Sequence, residues 1–318
     1  MAVANDTLVN CTFEVIVGTY EEFVLGYIFQ EESKELTESF AVHSHHGSVR
    51  CVTACDNFLA SGGSDEIIQL YSMISRKSVG SIMQHTGTVT DLKFTPEKCH
   101  LISCSEDGSI AVYRIGSWQV EKVWTSAHKG AGVSAIDVHP SSKMALSMGQ
   151  NKTLRTWNLV KGRPAYTTNL SSLGKFMDSV VWSIRGTYFA IIVDTKIHVF
   201  DVNVAGIVAA VDCSTRVTCL SFLQDDIICF GEVNGSVICF NITSNSELWR
   251  TKVGDSRVKC INCVMSKWII VANSDGNISV LHVPDVQTEP VQLSSVNCGC
   301  RITCMDVRLP VEVKSCNE

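Results

Sequence analysis

Apolar residues along this chain fall in short runs, many alternating with polar ones at a period of two, and no long stretch keeps the 3.6-residue period of a helix. Strands are therefore expected throughout, with little helix. One composite pattern returns: an apolar strand closing on small residues, a polar turn holding Asp or Asn, then a second strand carrying an aromatic. "LASGGSDEIIQLY" (59–71), "LISCSEDGSIAVY" (101–113) and "ALSMGQNKTLRTW" (145–157) show it most clearly. In each, the turn residue precedes the aromatic by six positions, as in Asp65 and Tyr71, Asp107 and Tyr113, Asn151 and Trp157.

The same spacing links Asp194 to Phe200, Asn234 to Phe240 and Asp275 to Leu281, so successive turn positions lie 42, 44, 43, 40 and 41 residues apart. A period of roughly 40 to 45 residues is that of a four-stranded propeller blade. Glu21 and Tyr27, in "VIVGTYEEFVLGY" (15–27), add a seventh unit 44 residues before Asp65. Nothing upstream of Val15 supplies that unit's inner strand, whereas "RITCMDVRL" (301–309) matches "RVTCLSFL" (216–223) and "RVKCINCVM" (257–265). The expectation is an all-β, seven-bladed β-propeller over residues 13–309, with short extensions at 1–12 and 310–318. Its last blade joins an inner strand at 301–307 to three strands from about 13–43. The other inner strands are expected at 49–55, 89–95, 133–139, 177–183, 216–223 and 257–264.

His, Ser and Asp recur in sets that mimic a hydrolase triad. They are His45, Ser61, Asp65 with Tyr71; His85, Ser103, Asp107 with Tyr113; and His128, Ser147, Asn151 with Trp157. A triad needs one exposed nucleophile beside a base and an oxyanion hole. Three copies at one blade spacing indicate a structural role instead. They resemble the His, Ser/Thr, Asp and Trp tetrad of the WD40-repeat family, which ties the loop before the inner strand to the outer strands. Departures from that pattern are Tyr for Trp in two blades and Asn151 for Asp in the third. Blades four to six lack the His and place Ala190, Phe230 and Val271 at the Ser position, so their packing is expected to rest more on apolar burial.

Composition narrows the function. With 45% hydrophobic residues the chain can bury a large core, and a net charge of −6 argues against a general nucleic-acid binder. Residues 1–10 show neither the basic nor the apolar region of a signal peptide, and no apolar run reaches the roughly 18 residues of a membrane span. A soluble, intracellular and monomeric protein is expected. Most of the fifteen cysteines sit in apolar strand-like runs, where a free thiol acts as a small hydrophobe. Cys260 and Cys263 fall three apart in one strand and so face opposite sides, which disfavours zinc; Cys298, Cys300 and Cys304 lie where the chain ends join and suit packing. No phosphate-binding glycine loop occurs, and neither a cofactor nor a catalytic residue is expected.

"QHTGTVTDLKF" (84–94), "HLISCSEDGSI" (100–110), "NKTLRTWNLVKGRPA" (151–165) and the opening "VIVGTYEEFVLGYIF" (15–29) are similar to the p21-activated-kinase-interacting WD40 proteins, the Mak-eleven-like branch. That resemblance implies a non-catalytic factor in nucleolar assembly of the large ribosomal subunit. Its alternative is an adaptor that binds and restrains p21-activated kinases. The implied partners are pre-ribosomal assembly proteins, with pre-ribosomal RNA nearby, or the kinase. Such proteins typically continue into a long Lys-rich tail, whereas this sequence stops at "VEVKSCNE", as a shorter isoform or divergent member would. Lys129, Gln150 and Lys152 fall on connections expected to converge around the central channel, and with Arg155, Lys161 and Arg163 they make the most basic stretch. These six are the candidate partner-binding residues.

Overall fold

The computed structural model describes residues 12–309, which hold strands and turns but no helix. Of the expected extensions at 1–12 and 310–318, residues 1–11 and 310–318 lie outside the described residues, while Thr12 already opens the strand Thr12–Thr19. The strands form seven four-stranded antiparallel sheets, each a blade. Inner strands run over Val49–Cys55, Val89–Phe94, Val133–Val138, Met177–Trp182, Val217–Gln224, Val258–Val264 and Ile302–Arg308, which open blades 1 to 7 in that order. Each packs against the inner strand of the next blade, and Ile302–Arg308 packs against both Val258–Val264 and Val49–Cys55, closing the ring.

Blade 7 joins the two ends of the chain. Its order is Ile302–Arg308, Thr12–Thr19, Phe23–Gln30 and Glu35–His43, with Glu14 opposite Arg308 and Val17 opposite Met305. Closure turns the inner edge of every sheet toward the channel and leaves the outermost strands as the edges on the periphery. Those strands, such as Lys77–Ile82 and Arg163–Asn169, are largely exposed, while second strands such as Phe58–Gly63 and Trp268–Asn273 are buried on both faces.

The core is a set of layers between blades rather than one mass. Between blades 7 and 1, for example, Ile16 and Val24 pack with Val49, Val52 and Leu59. Close approach of the second strand to the next inner strand is set by glycine. A Cβ on Gly62 would lie 2.6 Å from Val89 Cγ1, and one on Gly231 would lie 2.4 Å from Val258 Cγ1. Cys260 packs into the layer between blades 6 and 7 and Cys263 into that between blades 5 and 6, on opposite faces of their strand.

Inner strands are also stitched through polar side chains. Asp306 accepts from Ala54 N at 2.8 Å, Asp91 from Ile136 N at 3.1 Å and Asp137 from Trp182 N at 2.7 Å, each reaching across to the next blade. Burial pushes all three carboxyl pKa values up. Burial also opposes a charge on Lys93, but the carboxylates of Asp91, Asp137 and Asp306 outweigh it and hold the ammonium protonated.

Candidate functional site

Each inner strand begins opposite the end of its second strand, as Val49 pairs with Gly63 and Val133 with Gly149. The loops that enter the inner strands and the turns that leave the second strands therefore meet on one face of the ring. Two polar systems occupy it.

The first is the set of relays. In blade 3, Trp157 Nε1 donates to Ser147 Oγ at 2.8 Å, and Ser147 Oγ lies 2.7 Å from His128 Nε2. His128 Nδ1 lies 2.7 Å from Thr153 Oγ1, which donates to Asn151 Oδ1 at 2.6 Å. With its hydroxyl proton spent on Asn151, Thr153 must accept from the imidazole, so the proton sits on Nδ1. Asn151 Nδ2 then donates back to His128 O at 2.9 Å, pinning the loop. Asn151 thus meets the loop backbone, and Thr153 stands between it and the ring.

Blade 2 is similar. His85 Nε2 lies 2.6 Å from Ser103 Oγ, whose oxygen is 3.3 Å from Tyr113 OH; Nδ1 lies 3.1 Å from Asp107 and 2.9 Å from Ser109 Oγ. In blade 1, Ile67 replaces that second hydroxyl, and His45 meets Asp65 at 3.0 Å and Ser61 at 2.7 Å, with Tyr71 OH 3.4 Å from Ser61. Ser109 and Thr153 are functional members that the sequence reading missed. The available signal was a hydroxyl two residues after the turn residue.

These sets are sealed. Ser61, Ser103 and Ser147 are 0% exposed, so none presents a nucleophile to solvent. Burial lowers the pKa of His45 and His85. It pushes His128 down to about 4, with the Arg155 charge adding to the effect. Between pH 6.5 and 4 the unfolded chain binds a proton that folded His128 refuses. Its contribution is present above pH 6.5 and is lost on acidification, by about 2 kcal/mol at pH 5. Urea titrations of His128→Gln should accordingly lose less stability than the parent between pH 7 and pH 5; parallel losses would contradict the assignment.

Room for the imidazole comes from the residue beside it. A Cβ on Gly149 would lie 2.4 Å from His128 Nδ1, and one on Gly63 would lie 2.8 Å from His45 Nδ1. Where the His is absent, that register position grows. It holds Glu232 in blade 5 and Asn273 in blade 6, opposite Val217 and Val258. Glu232 is fully buried and accepts from Arg250 Nη1 and Asn234 Nδ2, both at 3.0 Å. Apolar burial is therefore not the whole account of blade 5, which substitutes one buried polar contact for another. In blade 4, Val193 pairs with Lys196 across a two-residue turn, one residue tighter than Gly149 with Thr153. The tighter turn puts Ile191, rather than Ala190, at the position of Ser147. Asp194 still caps the entering loop, accepting from Lys175 N at 2.9 Å and Phe176 N at 3.0 Å.

The second system is the mouth of the channel, a recess of about 860 Å³ ringed by Arg50, Arg216, Arg257, Lys259 and Arg301. Arg216, Arg257 and Arg301 directly precede inner strands; Arg50 and Lys259 are the second residues of theirs. Register alone brings five cations from four blades together. Glu106 is the one acid among the described lining residues. Arg301 Cζ lies 5.5 Å from the centre of the Tyr20 ring.

The six basic-stretch residues divide between places. Lys129, Gln150 and Lys152 lie on the channel face, and Gln150 lines the mouth. Arg155 lies along the third strand, 6.0 Å from the Trp157 ring. Lys161 and Arg163 sit beyond the other end of Thr153–Asn158, roughly 20 Å away at 3.3 Å per residue. There Lys161 borders a groove of about 460 Å³ between blades 2 and 3, with Trp124 and Val160.

The family model "WD domain, G-beta repeat" matches residues 36–72 and 76–114. Each match starts in or just before the outer strand of one blade and ends with the third strand of the next, so the sequence repeat straddles two blades. The chain is 34% identical to p21-activated protein kinase-interacting protein 1-like of Danio rerio, over 98% of this chain and 85% of that protein. The chain belongs to this WD40 family. It is also 32% identical to p21-activated protein kinase-interacting protein 1 of Homo sapiens, over 93% of this chain and 77% of that one. Protein MAK11 of Saccharomyces cerevisiae is more distant, 27% identical over 61% of this chain and 52% of that protein. WD40 propellers are in general non-catalytic scaffolds, and the sealed relays of this member suit that description.

Proposed function

We propose that this protein is a non-catalytic scaffold in nucleolar assembly of the large ribosomal subunit, presenting its channel face to an assembly protein. The observation that carries the reading is the cationic mouth on a molecule of net charge −6. Lys129 and Lys152 extend the same face outward, and the resemblance to the Mak-eleven-like branch supplies the process. Tagged protein should co-sediment with large-subunit precursors on a sucrose gradient. Lys129→Glu with Lys152→Glu should weaken that association at an unchanged melting temperature. Undiminished co-sedimentation of the folded variant would overturn the role of this face.

A second reading is an adaptor for p21-activated kinases. It is favoured by the names of relatives from Danio rerio and Homo sapiens, and by that of Shk1 kinase-binding protein 15 of Schizosaccharomyces pombe, 28% identical over 91% of this chain. Capture of the chain by a kinase regulatory region, with no large-subunit precursors in the complex, would select it over the first.

A further inference from the structure

We infer that the channel mouth is a binding site for a short acidic peptide segment, an Asp/Glu run with an apolar neighbour, and that it does not serve nucleic acid. The inference deepens the scaffold reading and rests on it for its biological setting. Arg50, Arg257 and Lys259 face the recess, and among the described residues none of them makes an ion pair. Buried carboxylates elsewhere neutralise some of the other cations: Arg76 and Arg308 hold Glu14, and Arg250 holds Glu232. Like charges gathered in one recess repel, and an anion placed among them relieves that repulsion. Arg257 and Lys259 are half-buried and stand on or beside a strand packed on both sides, so little freedom is lost on binding. Arginine forks also match carboxylates in a bidentate geometry.

The surroundings decide between anions. Glu66, Glu106 and Asp275 are exposed on turns around the mouth and alternate there with basic turns such as those of Lys129 and Lys152. Fields are screened over about 8 Å at physiological salt, so the attraction is confined to the recess. An extended polyanion would run onto a rim where acids interrupt the basic turns, whereas a few carboxylates entering the mouth would meet chiefly the cations. Beside the cations, Tyr20 of blade 7 (56% exposed) and Val233 of blade 5 (43% exposed) add two apolar surfaces to the lining. Those surfaces suit an apolar side chain flanking the acidic run.

The test uses purified protein, a fluorescein-labelled oligoglutamate peptide and a fluorescein-labelled oligouridylate of equal charge, read by anisotropy. The peptide should bind in a salt-dependent way and more tightly than the oligouridylate. Arg257→Glu with Lys259→Glu should weaken it about tenfold or more, as attractive pairs become repulsive. Arg50→Gln with Lys259→Gln should weaken it less and guards against a folding defect in the first variant. Lys161→Glu with Arg163→Glu, on the opposite face, should leave it unchanged. Tighter oligouridylate binding, or equal losses from the two faces, would overturn the inference. No pre-ribosome is present in this assay, so its failure leaves the gradient experiment standing, and failure on the gradient leaves the mouth standing.

Discussion

Removal of residues 298–318 is expected to abolish the closed fold, giving a protein that aggregates or melts without a sharp transition. The deletion takes away the inner strand of blade 7, and with it the backbone ladder from Glu14–Arg308 to Thr19–Ile302. Buried Ile302 and Met305 leave their layer, uncovering Val15 and Val17. Asp306 no longer ties Ala54 N of blade 1 or Asn262 of blade 6, 3.2 Å away. Arg308, which donates to Glu14 at 3.0 Å and to Asp56 O at 2.6 Å, is lost as well. Glu14, only 4% exposed, then keeps Arg76 and the Ser39 hydroxyl, 2.6 Å away, against its desolvation. Most seriously, Thr12–Thr19 becomes an unpaired edge at the centre of the ring, a template for association. Size-exclusion chromatography and thermal denaturation check this; a monomeric truncation melting as the parent does would refute the seam.

The architecture was readable because its signals are local and repeated. The six-residue step from turn residue to an aromatic, or to Leu281 in blade 6, lies within one hairpin, and seven copies of it set the blade count. The seam was legible for a related reason: "RITC" at Arg301 repeats "RVTC" at Arg216 and "RVKC" at Arg257. Those same motifs contained the channel mouth, since each opens with the arginine that faces it. Their functional content went unread because the cations are some forty residues apart and only the register between blades brings them together. The basic stretch of blade 3, contiguous in sequence, was more conspicuous, yet a six-residue strand divides it between two faces. In blade 4 one missing turn residue shifted the register from Ala190 to Ile191, a change that counting from Asp194 cannot detect. The Glu232–Arg250 contact joins residues two strands apart and has no spacing rule to reveal it. Thr153 was overlooked because Asn151 appeared to complete the relay without it.

Replacing Trp157 tests whether that relay governs the channel face as well as stability. Trp157 is 2% exposed, fills the layer between blades 2 and 3 beside Ile102, Ile110 and Val133, and lies 4.6 Å from the ring of Trp124. Trp157→Ala should cost about 3–5 kcal/mol, the range for truncating a buried aromatic. Trp157→Phe keeps much of the packing and forfeits the bond to Ser147, adding about 1 kcal/mol to the smaller volume loss. Trp157→Tyr should cost less than Phe, because Tyr113 and Tyr71 already place their hydroxyls 3.3 and 3.4 Å from the corresponding serines. Denaturant midpoints should therefore fall least for Tyr, further for Phe and furthest for Ala; an Ala variant no worse than Phe would contradict the packing account. The relay adds a second, local consequence. Ser147 holds His128 Nε2, and Asn151 and Thr153 hold its loop, which turns through the His128–Ala131 bridge and carries Lys129 onto the channel face. In Trp157→Phe the amides of 129–131 should exchange hydrogen faster under native conditions, while those of blade 5, which has no such relay, should keep their protection. Uniform acceleration throughout the ring would mean that Trp157 acts through global stability alone.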